Sequence, residues 1–172
     1  SALIGAVPFG MEPWEYSAWW YEANGRELTE ALYARYGVHP ILCGLIGPET
    51  AGWFREPIGS LAEFAGLRMR IPGIGGEIMA RLGATVQVLG APEIYPALER
   101  GAIDATEWVG PHDDEKLGFH QVAKHYYYPG WWEPGSTATL MVNRAAYDEL
   151  PPEHQDLLRT VTREAMMYSL AA

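Results

Sequence analysis

Basic residues and cysteine are both scarce in this chain. Its 172 residues include 12 lysines and arginines against 22 aspartates and glutamates, and the net charge is −10 at pH 7. Because so acidic a surface repels nucleic acid and anionic membranes, neither is expected as a partner. Cys43 is the single cysteine, which excludes a disulfide within the chain. It lies in an apolar run and is expected to be a small buried side chain rather than a nucleophile.

Long apolar runs and common catalytic motifs are missing as well. The longest apolar runs are far below the roughly 18 residues of a membrane-spanning helix. The sequence has no Gly-x-Ser-x-Gly elbow, no His-Glu-x-x-His pair and no phosphate-binding P-loop, and its five histidines lack metal-ligand spacing. These absences weigh against an enzyme. No signal peptide is visible, but the chain begins at Ser1 without a methionine, which suggests processing or a fragment and does not exclude export.

Apolar and aromatic residues, by contrast, are plentiful. Hydrophobic residues make up 48% and charged residues 20% of the chain, which is typical of a globular protein with a sizeable core. Seven tryptophans and ten tyrosines are many for this length. The aromatic residues cluster at positions 14–21 and 126–132, where they form either part of the core or the wall of a pocket.

Periodicity and turn residues predict an α/β fold. Helices are predicted over residues 13–36, 75–82, 92–100, 111–118 and 151–169. Strands are predicted over residues 38–45, 67–71, 85–89, 103–108 and 137–142. Trp53-Phe54 is expected to be a buried segment, and residues 122–132 an extended aromatic segment. The alternation of strand and helix from residue 67 to residue 108 predicts a parallel-rich sheet with crossover helices.

Arg70 ends the short strand at 67–71, just before the turn Pro72-Gly73. Gly75 and Gly76 then open a helix. A guanidinium is a planar, always-charged, two-pronged donor that matches a carboxylate. The helix start adds free backbone N–H groups and a partial positive charge. These features suit a carboxylate-binding position at Arg70, and the alternative is that Arg70 is a surface arginine in a βα unit.

Three glutamates are expected at the same edge of the sheet. Glu107 ends one predicted strand, Glu49 lies in the loop after another, and Glu133 follows the aromatic segment. In open α/β sheets, ligands bind beyond the carboxyl ends of the strands. One arginine among three carboxylates traps an anion poorly, unless a cation such as Ca²⁺ lies among the carboxylates or the ligand brings donors of its own. The other interpretation is that Glu49 and Glu133 are solvated loop residues.

An ordered set of motifs points to a known family. The set comprises Gly52-Trp53-Phe54, the stretch 66–83, the segment 92–105, Glu107-Trp108-Val109-Gly110-Pro111, the segment 113–119 and the segment 126–135. In this order the motifs resemble the solute receptor of a tripartite ATP-independent periplasmic (TRAP) transporter, in the branch that binds small 2-oxo acids. The resemblance covers essentially all 172 residues.

The resemblance implies a two-lobed, periplasmic-binding-protein-like α/β fold of the type II kind around a cleft. Residues 1–46 would be a remnant of the first lobe and a crossing strand, and residues 47–124 the complete second lobe. Residues 125–172 would form a second crossing strand, the return to the first lobe and the C-terminal helix. The first part of the first lobe would precede Ser1. We therefore expect weaker binding than by a full receptor, or a second chain, as in a homodimer, that covers the exposed surface.

The resemblance also implies roles for particular residues. Arg70 would clamp the ligand carboxylate, and a cation would bridge the ligand and the protein. Glu107, the carbonyl of Trp108 and Glu133 would hold that cation. Glu49 stands where the family usually has glutamine, four residues before the Trp-Phe pair. Three tryptophans would wall the pocket: Trp108, Trp131 and Trp132.

The departure at Glu49 leaves two kinds of ligand open. An extra carboxylate favours Ca²⁺ over Na⁺ as the cation that bridges a 2-oxo or 2-hydroxy acid. Alternatively, Glu49 accepts a hydrogen bond from the ring N–H of a cyclic amide acid such as pyroglutamate, with no metal present.

The function implied is that of a receptor without catalytic activity, located in the periplasm. It would pass a small monocarboxylate to the TRAP membrane subunits. A carboxylate-dependent hydrolase is the rival interpretation, with Glu107 and Glu133 as acid and base. A third is an interaction domain in which the aromatic clusters are simply core.

Overall fold

The computed structural model describes residues 7–171, so the part of the predicted first-lobe segment before Val7 lies outside the described residues. Seven α-helices lie within this range: α1 Pro13–Glu22, α2 Gly25–Ala34, α3 Gly73–Arg81, α4 Ala91–Glu99, α5 Pro111–Leu117, α6 Arg144–Asp148 and α7 Pro152–Ala171. The strands are β1 Val38–Ile46, β2 Gly52–Phe54, β3 Arg68–Arg70, β4 Thr85–Gln87, β5 Ala105–Thr106, β6 His125–Tyr127 and β7 Ser136–Asn143. The α/β class that the sequence predicts is confirmed.

The strands form two sheets. β1 and β7 pair antiparallel, from Val38 opposite Asn143 to Ile46 opposite Ser136. Helix α7 packs on β1, where the Ser169 hydroxyl accepts from the N–H of Leu45 and donates to its carbonyl at 3.0 and 3.1 Å. The remaining strands form a five-stranded sheet in the order β4-β3-β5-β2-β6. The boundary predicted at 46/47 falls between β1 of the small sheet and β2 of the large sheet, whereas the one at 124/125 falls between β5 and β6, which both belong to the large sheet. The division into domains stays a prediction.

The predicted parallel-rich sheet is in fact mixed. β3 pairs parallel with β4 and with β5, as the strand–helix alternation predicts. β2, however, runs antiparallel to both β5 and β6. A three-residue strand carries too little periodicity to show its direction. The extended segment predicted over 122–132 is likewise shorter, because only His125–Tyr127 pairs with the sheet before Pro129 and Gly130 turn the chain away.

The single helix predicted over residues 13–36 is two helices. α1 ends at Glu22, and Ala23 leaves the helical region with φ −121° and ψ −145°. Asn24 and Gly25 follow, and both residue types are weak helix formers. Gly25 also lies against Trp19, since a Cβ there would be 2.6 Å from the indole ring. The break therefore has both a local cause and a packing cause.

Apolar clusters cover the large sheet. One cluster includes Met69, Ile71 and Met79, and a second includes Ile94, Leu98 and Phe119. The first cluster joins β3 and β5 to α3, and the second joins α4 to the segment around Phe119. Pro92 and Glu93 define the start of α4, where the Glu93 carboxylate accepts from the N–H of Gly90 at 2.9 Å.

The topology brings four chain segments to one edge of the large sheet. The parallel strands β3 and β5 both end there, at Arg70 and Thr106. The antiparallel β2 begins there, so the loop that contains Glu49 enters at the same edge. β6 runs antiparallel to β2 and ends there, which brings the segment that leads to Glu133 alongside. The mixed topology therefore assembles the predicted site.

Gly52 controls how closely β2 approaches β5. Its φ is +110°, and a Cβ on this residue would lie 2.4 Å from the carbonyl oxygen of Thr106. We expect Gly52→Ala to lower the free energy of unfolding by roughly 2–4 kcal/mol, because it combines a steric clash with a strained backbone. Urea denaturation measures this loss. Gly47→Ala is the control: a Cβ there meets nothing within 4 Å, and a loss as large as that of Gly52→Ala would contradict the argument.

Candidate ligand-binding site

Arg70 is buried at the end of β3, with 7% of its surface exposed. Its Nη1 donates to the Glu107 carboxylate at 2.5 Å and to the Glu107 carbonyl oxygen at 2.8 Å. Its Nε donates to the carbonyl oxygen of Leu89 at 3.3 Å, and its guanidinium carbon lies 4.9 Å from the centre of the Trp108 ring. These contacts hold the guanidinium in place and, within residues 7–171, leave Nη2 without a hydrogen-bond acceptor. A fixed guanidinium with a spare donor suits a ligand carboxylate.

Glu49 and Glu107 form a buried pair of carboxyl groups. They are 6% and 4% exposed, and their side chains lie within hydrogen-bonding reach of each other. Burial raises the pKa of Glu49 well above its ordinary value, and the neighbouring Glu133 and Glu107 raise it further. Burial also raises the pKa of Glu107, while the positive charge of Arg70 opposes that rise. Both causes favour the protonated, neutral form of Glu49 over the ionised form.

Glu133 is joined to the Glu49 loop through backbone hydrogen bonds. Its carbonyl oxygen accepts from the N–H of Glu49 at 3.1 Å, and the carbonyl of Glu49 accepts from the N–H of Gly130 at 2.8 Å. The Glu133 side chain is half-buried, and burial raises its pKa while a hydrogen bond with Ser136 lowers it. The loops that carry Glu49 and Glu133 are thus held against each other, so neither glutamate is a freely solvated loop residue.

The three predicted wall tryptophans differ in their surroundings. Trp108 faces the Arg70 guanidinium. Trp131 stacks on Phe9 with ring centres 5.2 Å apart. Trp132 is 5% exposed and packs in the cluster that contains Met69 and Ile71, and its buried Nε1 has no acceptor among the described residues.

The cluster offers oxygen ligands of the kind that hard cations prefer. The buried Oε2 of Glu49 receives no hydrogen bond from the described residues. The Glu107 side chain lies within hydrogen-bonding reach of Glu49. No group of three or more His, Cys, Asp or Glu side chains within residues 7–171 is arranged to hold a metal ion by itself. A cation here would therefore draw further ligands from backbone carbonyls and from the bound molecule.

Asp114 is a buried residue that our sequence reasoning did not place in the site. It is fully buried in α5, and its carboxylate accepts from the indole Nε1 of Trp53, the hydroxyl of Tyr126 and the backbone N–H of Val109. In the sequence it resembles its neighbour Asp113, because both are acidic residues near a helix start. Only burial distinguishes them.

A cavity of about 790 Å³ lies elsewhere, beside β1 and α7. Its lining includes four arginines together with His39 and Tyr147: Arg26, Arg144, Arg159 and Arg163. The residues that line it do not include Arg70 or any of the three predicted glutamates. The cavity is therefore separate from the cluster at the edge of the large sheet.

Comparison with known families identifies the chain's relatives. The model for DctP, the bacterial extracellular solute-binding proteins of family 7, matches residues 2–172. The chain belongs to this family. None of the helices within residues 7–171 combines the length and the hydropathy needed to cross a membrane.

A curated relative of the chain is the monocarboxylate 2-oxoacid-binding periplasmic protein of Nostoc sp. strain PCC 7120. It is 48% identical over 169 residues, which cover 98% of this chain and 46% of the Nostoc protein. The chain thus spans about half the length of that relative. The resemblance to TRAP solute receptors is confirmed by this relative and by the solved structures.

Three solved TRAP solute-binding proteins share this chain's fold. The Bordetella bronchiseptica protein, with copurified calcium and picolinate in its active site, has a TM-score of 0.93 and 42% identity over 99% of this chain and 51% of its own. The Colwellia psychrerythraea protein, with bound calcium and pyruvate, has a TM-score of 0.91 and 42% identity over 97% of this chain and 51% of its own. A third, from Pseudoalteromonas atlantica, holds sodium and pyruvate and is 44% identical, with a TM-score of 0.88, over 97% of this chain and 51% of its own.

Proposed function

We propose that this chain forms the ligand-binding half of an extracytoplasmic TRAP receptor for a small monocarboxylate. The ligand class is a 2-oxo or 2-hydroxy acid, bridged to the protein by a cation. The observation that carries the proposal is the buried guanidinium of Arg70 beside the paired carboxyl groups of Glu107 and Glu49. A single positive group offers an anionic ligand one charge-assisted clamp, while the carboxylates require a cation before an anion can approach them.

Charge balance explains why the cation and the acid would bind together. Arg70 already faces Glu107, so an added ligand carboxylate would leave the buried cluster negative. A cation held by Glu49, Glu107, the Trp108 carbonyl and Glu133 would offset that charge and supply electrostatic attraction to the ligand. Glu49 contributes a carboxylate where the resemblance predicts glutamine, which favours a divalent ion over Na⁺.

The ligands of the related structures share one chemical feature. Pyruvate carries an oxo oxygen next to its carboxylate, and picolinate carries a ring nitrogen in the same position. Each can therefore bind a cation through two neighbouring atoms. A carboxylate with an adjacent donor atom is the ligand class that we assign to this site. The lactam alternative, which binds without metal, receives no support from these relatives.

The proposed role is that of a transport receptor that binds its ligand without catalysing a reaction. Glu107 is held by Arg70 on one side and Glu49 on the other, which favours a fixed binding group over a proton donor. We infer that the protein works as a receptor outside the cytoplasmic membrane and presents its ligand to TRAP membrane subunits. We also propose that a second chain covers the exposed surface. Light scattering tests this, and the mass of a monomer in solution would contradict it.

Mass spectrometry of small molecules and metals released by denaturing the purified chain tests the function. We expect one small carboxylic acid close to one equivalent, together with calcium or sodium. Titration calorimetry with pyruvate, with Ca²⁺ present and then chelated, provides the second test, and we expect binding to depend on the cation. A lactam acid without metal, or heat of binding that does not change on chelation, would contradict the cation-bridged site.

A further inference from the structure

Asp114 occupies an unusual position for an acidic residue, since it is fully buried. Its Oδ2 accepts from Trp53 Nε1 at 2.9 Å and from the Tyr126 hydroxyl at 3.0 Å. Its Oδ1 accepts from the Val109 N–H at 3.1 Å. An ionised carboxylate is the side chain best suited to accept from three donors at once, because it carries several lone pairs and no proton.

Each of these donors belongs to a different chain segment of the ligand site. Val109 directly follows Glu107 and Trp108. Trp53 lies in β2, which begins just after the loop that holds Glu49. Tyr126 lies in β6, which leads into the segment that holds Glu133. One carboxylate therefore contacts all three segments that supply the proposed cation ligands.

The connections between these segments reinforce one another. The rings of Trp53 and Tyr126 stack with centres 3.8 Å apart and planes 15° from parallel, so their two donors converge on one oxygen. The N–H of Thr50 donates to the carbonyl of Val109 at 3.3 Å, which joins the Glu49 loop to the segment after Trp108. Loss of the Asp114 acceptor would loosen all three segments together, because each relies on the others.

We propose that Asp114 is a positioning residue that sets the spacing of Glu49, Glu107, the Trp108 carbonyl and Glu133. It acts through Val109, Trp53 and Tyr126. This role rests on the proposed function. It adds a buried residue that does not itself contact the ligand but determines the affinity for the cation and the carboxylate. Mutation of a residue that orients metal ligands typically lowers metal affinity by roughly 10–100-fold.

The test compares Asp114→Asn with Asp113→Asn. The two changes remove the same charge from adjacent residues of one helix, but Asp113 is only half-buried and pairs with Lys116 at 3.6 Å. An asparagine at 114 can still accept from Val109, but its NH₂ faces the Trp53 indole, which is also a donor. We expect Asp114→Asn to weaken Ca²⁺-dependent pyruvate binding by roughly 10–100-fold and Asp113→Asn by less than about twofold.

Hydrogen exchange without ligand separates positioning from general loss of stability. We expect Asp114→Asn to speed exchange in residues 47–54, 105–110 and 125–133 while residues 38–46 and 136–143 keep their protection. Adding Trp53→Phe removes the opposed indole N–H and should restore part of the lost protection and affinity. Where Asp114→Asn does not fold, Tyr126→Phe is expected to give the same local pattern on a smaller scale.

The outcomes distinguish the two proposals. If the wild-type chain binds no carboxylate, the proposed function fails, while the exchange pattern still decides whether Asp114 joins the three segments. If Asp114→Asn exchanges like Asp113→Asn, or if all regions lose protection equally, Asp114 is not a positioning residue. If hydrogen exchange becomes faster only in these three segments but affinity is unchanged, the spacing that Asp114 sets does not affect ligand binding, and the inference is overturned.

Discussion

Replacement of Arg70 by alanine is expected to remove most of the affinity for the carboxylate ligand. The change deletes the buried guanidinium that we propose as the clamp, at a cost of about 2–5 kcal/mol, or roughly 30-fold to a few thousand-fold in affinity. It also leaves Glu107 buried without its cationic partner, which should lower the free energy of unfolding by about 3–5 kcal/mol. Calorimetry with pyruvate and Ca²⁺ measures the first effect, and urea denaturation measures the second.

Arg68 provides the matched control for this prediction. It lies two residues earlier in the same strand and pairs with Asp104, but its side chain is 44% exposed. Arg68→Ala should therefore cost little stability and leave affinity unchanged. The double variant Arg70→Ala with Glu107→Gln should recover much of the stability but none of the affinity. A loss of affinity below tenfold in Arg70→Ala would show that Arg70 is not the clamp.

Replacement of Glu49 by glutamine is expected to change how stability depends on pH. Burial and the nearby carboxylates raise the pKa of Glu49 above its ordinary value of 4.5 in the folded chain. The unfolded chain releases this proton near pH 4.5, whereas the folded chain retains it. The stability that this group contributes is therefore fully present below about pH 4.5 and is lost as the pH rises toward the raised pKa. A glutamine side chain has no such proton to release, so the free energy of unfolding of the Glu49→Gln variant should not decline over this pH range.

Without ligand, the Glu49→Gln variant should thus be as stable as the wild type at pH 4 and more stable than the wild type at pH 8. The expected gain is on the order of 2 kcal/mol, or roughly 4–8 °C in Tm. With Ca²⁺ the order should reverse, because the variant lacks a charged ligand and should bind Ca²⁺ at least roughly tenfold more weakly. Thermal unfolding across pH 4–9, with and without Ca²⁺, measures both effects.

Glu63 supplies a control of opposite sign. It is exposed, and the Gly59 N–H and the Ser60 hydroxyl lower its pKa by donating to its carboxylate. The wild type gains a little stability as the pH rises from this lowered pKa to about 4.5, so above that pH Glu63→Gln should be slightly less stable than the wild type by a constant amount. Ca²⁺ binding should not change. Parallel pH curves for the wild type and Glu49→Gln would mean that Glu49 is not the proton-holding residue of the cluster.

Most elements of the fold could be predicted from short-range signals. The strand that ends at Arg70 alternates clearly, Pro92 marks the start of α4 to within a residue, and Pro152 begins α7. The predictions that were wrong concern features with weak local signals. The direction of β2 depends on pairing with β5 and β6 over only three residues, and the helix break at Ala23 depends partly on how Gly25 packs against Trp19.

The sequence by itself determined the α/β class, the family and the candidate residues, because residue order carries the motifs and the strand and helix periods. Only the tertiary structure decided which candidates become neighbours. Arg70 and Glu107 are 37 positions apart, and Trp53 and Asp114 are 61 apart, yet each pair is hydrogen-bonded. The raised pKa of Glu49 and the proposed role of Asp114 follow from burial, and burial depends on every element packed around a side chain. Local sequence cannot specify it, which is why Asp113 and Asp114 look alike in the sequence while only Asp114 is fully buried.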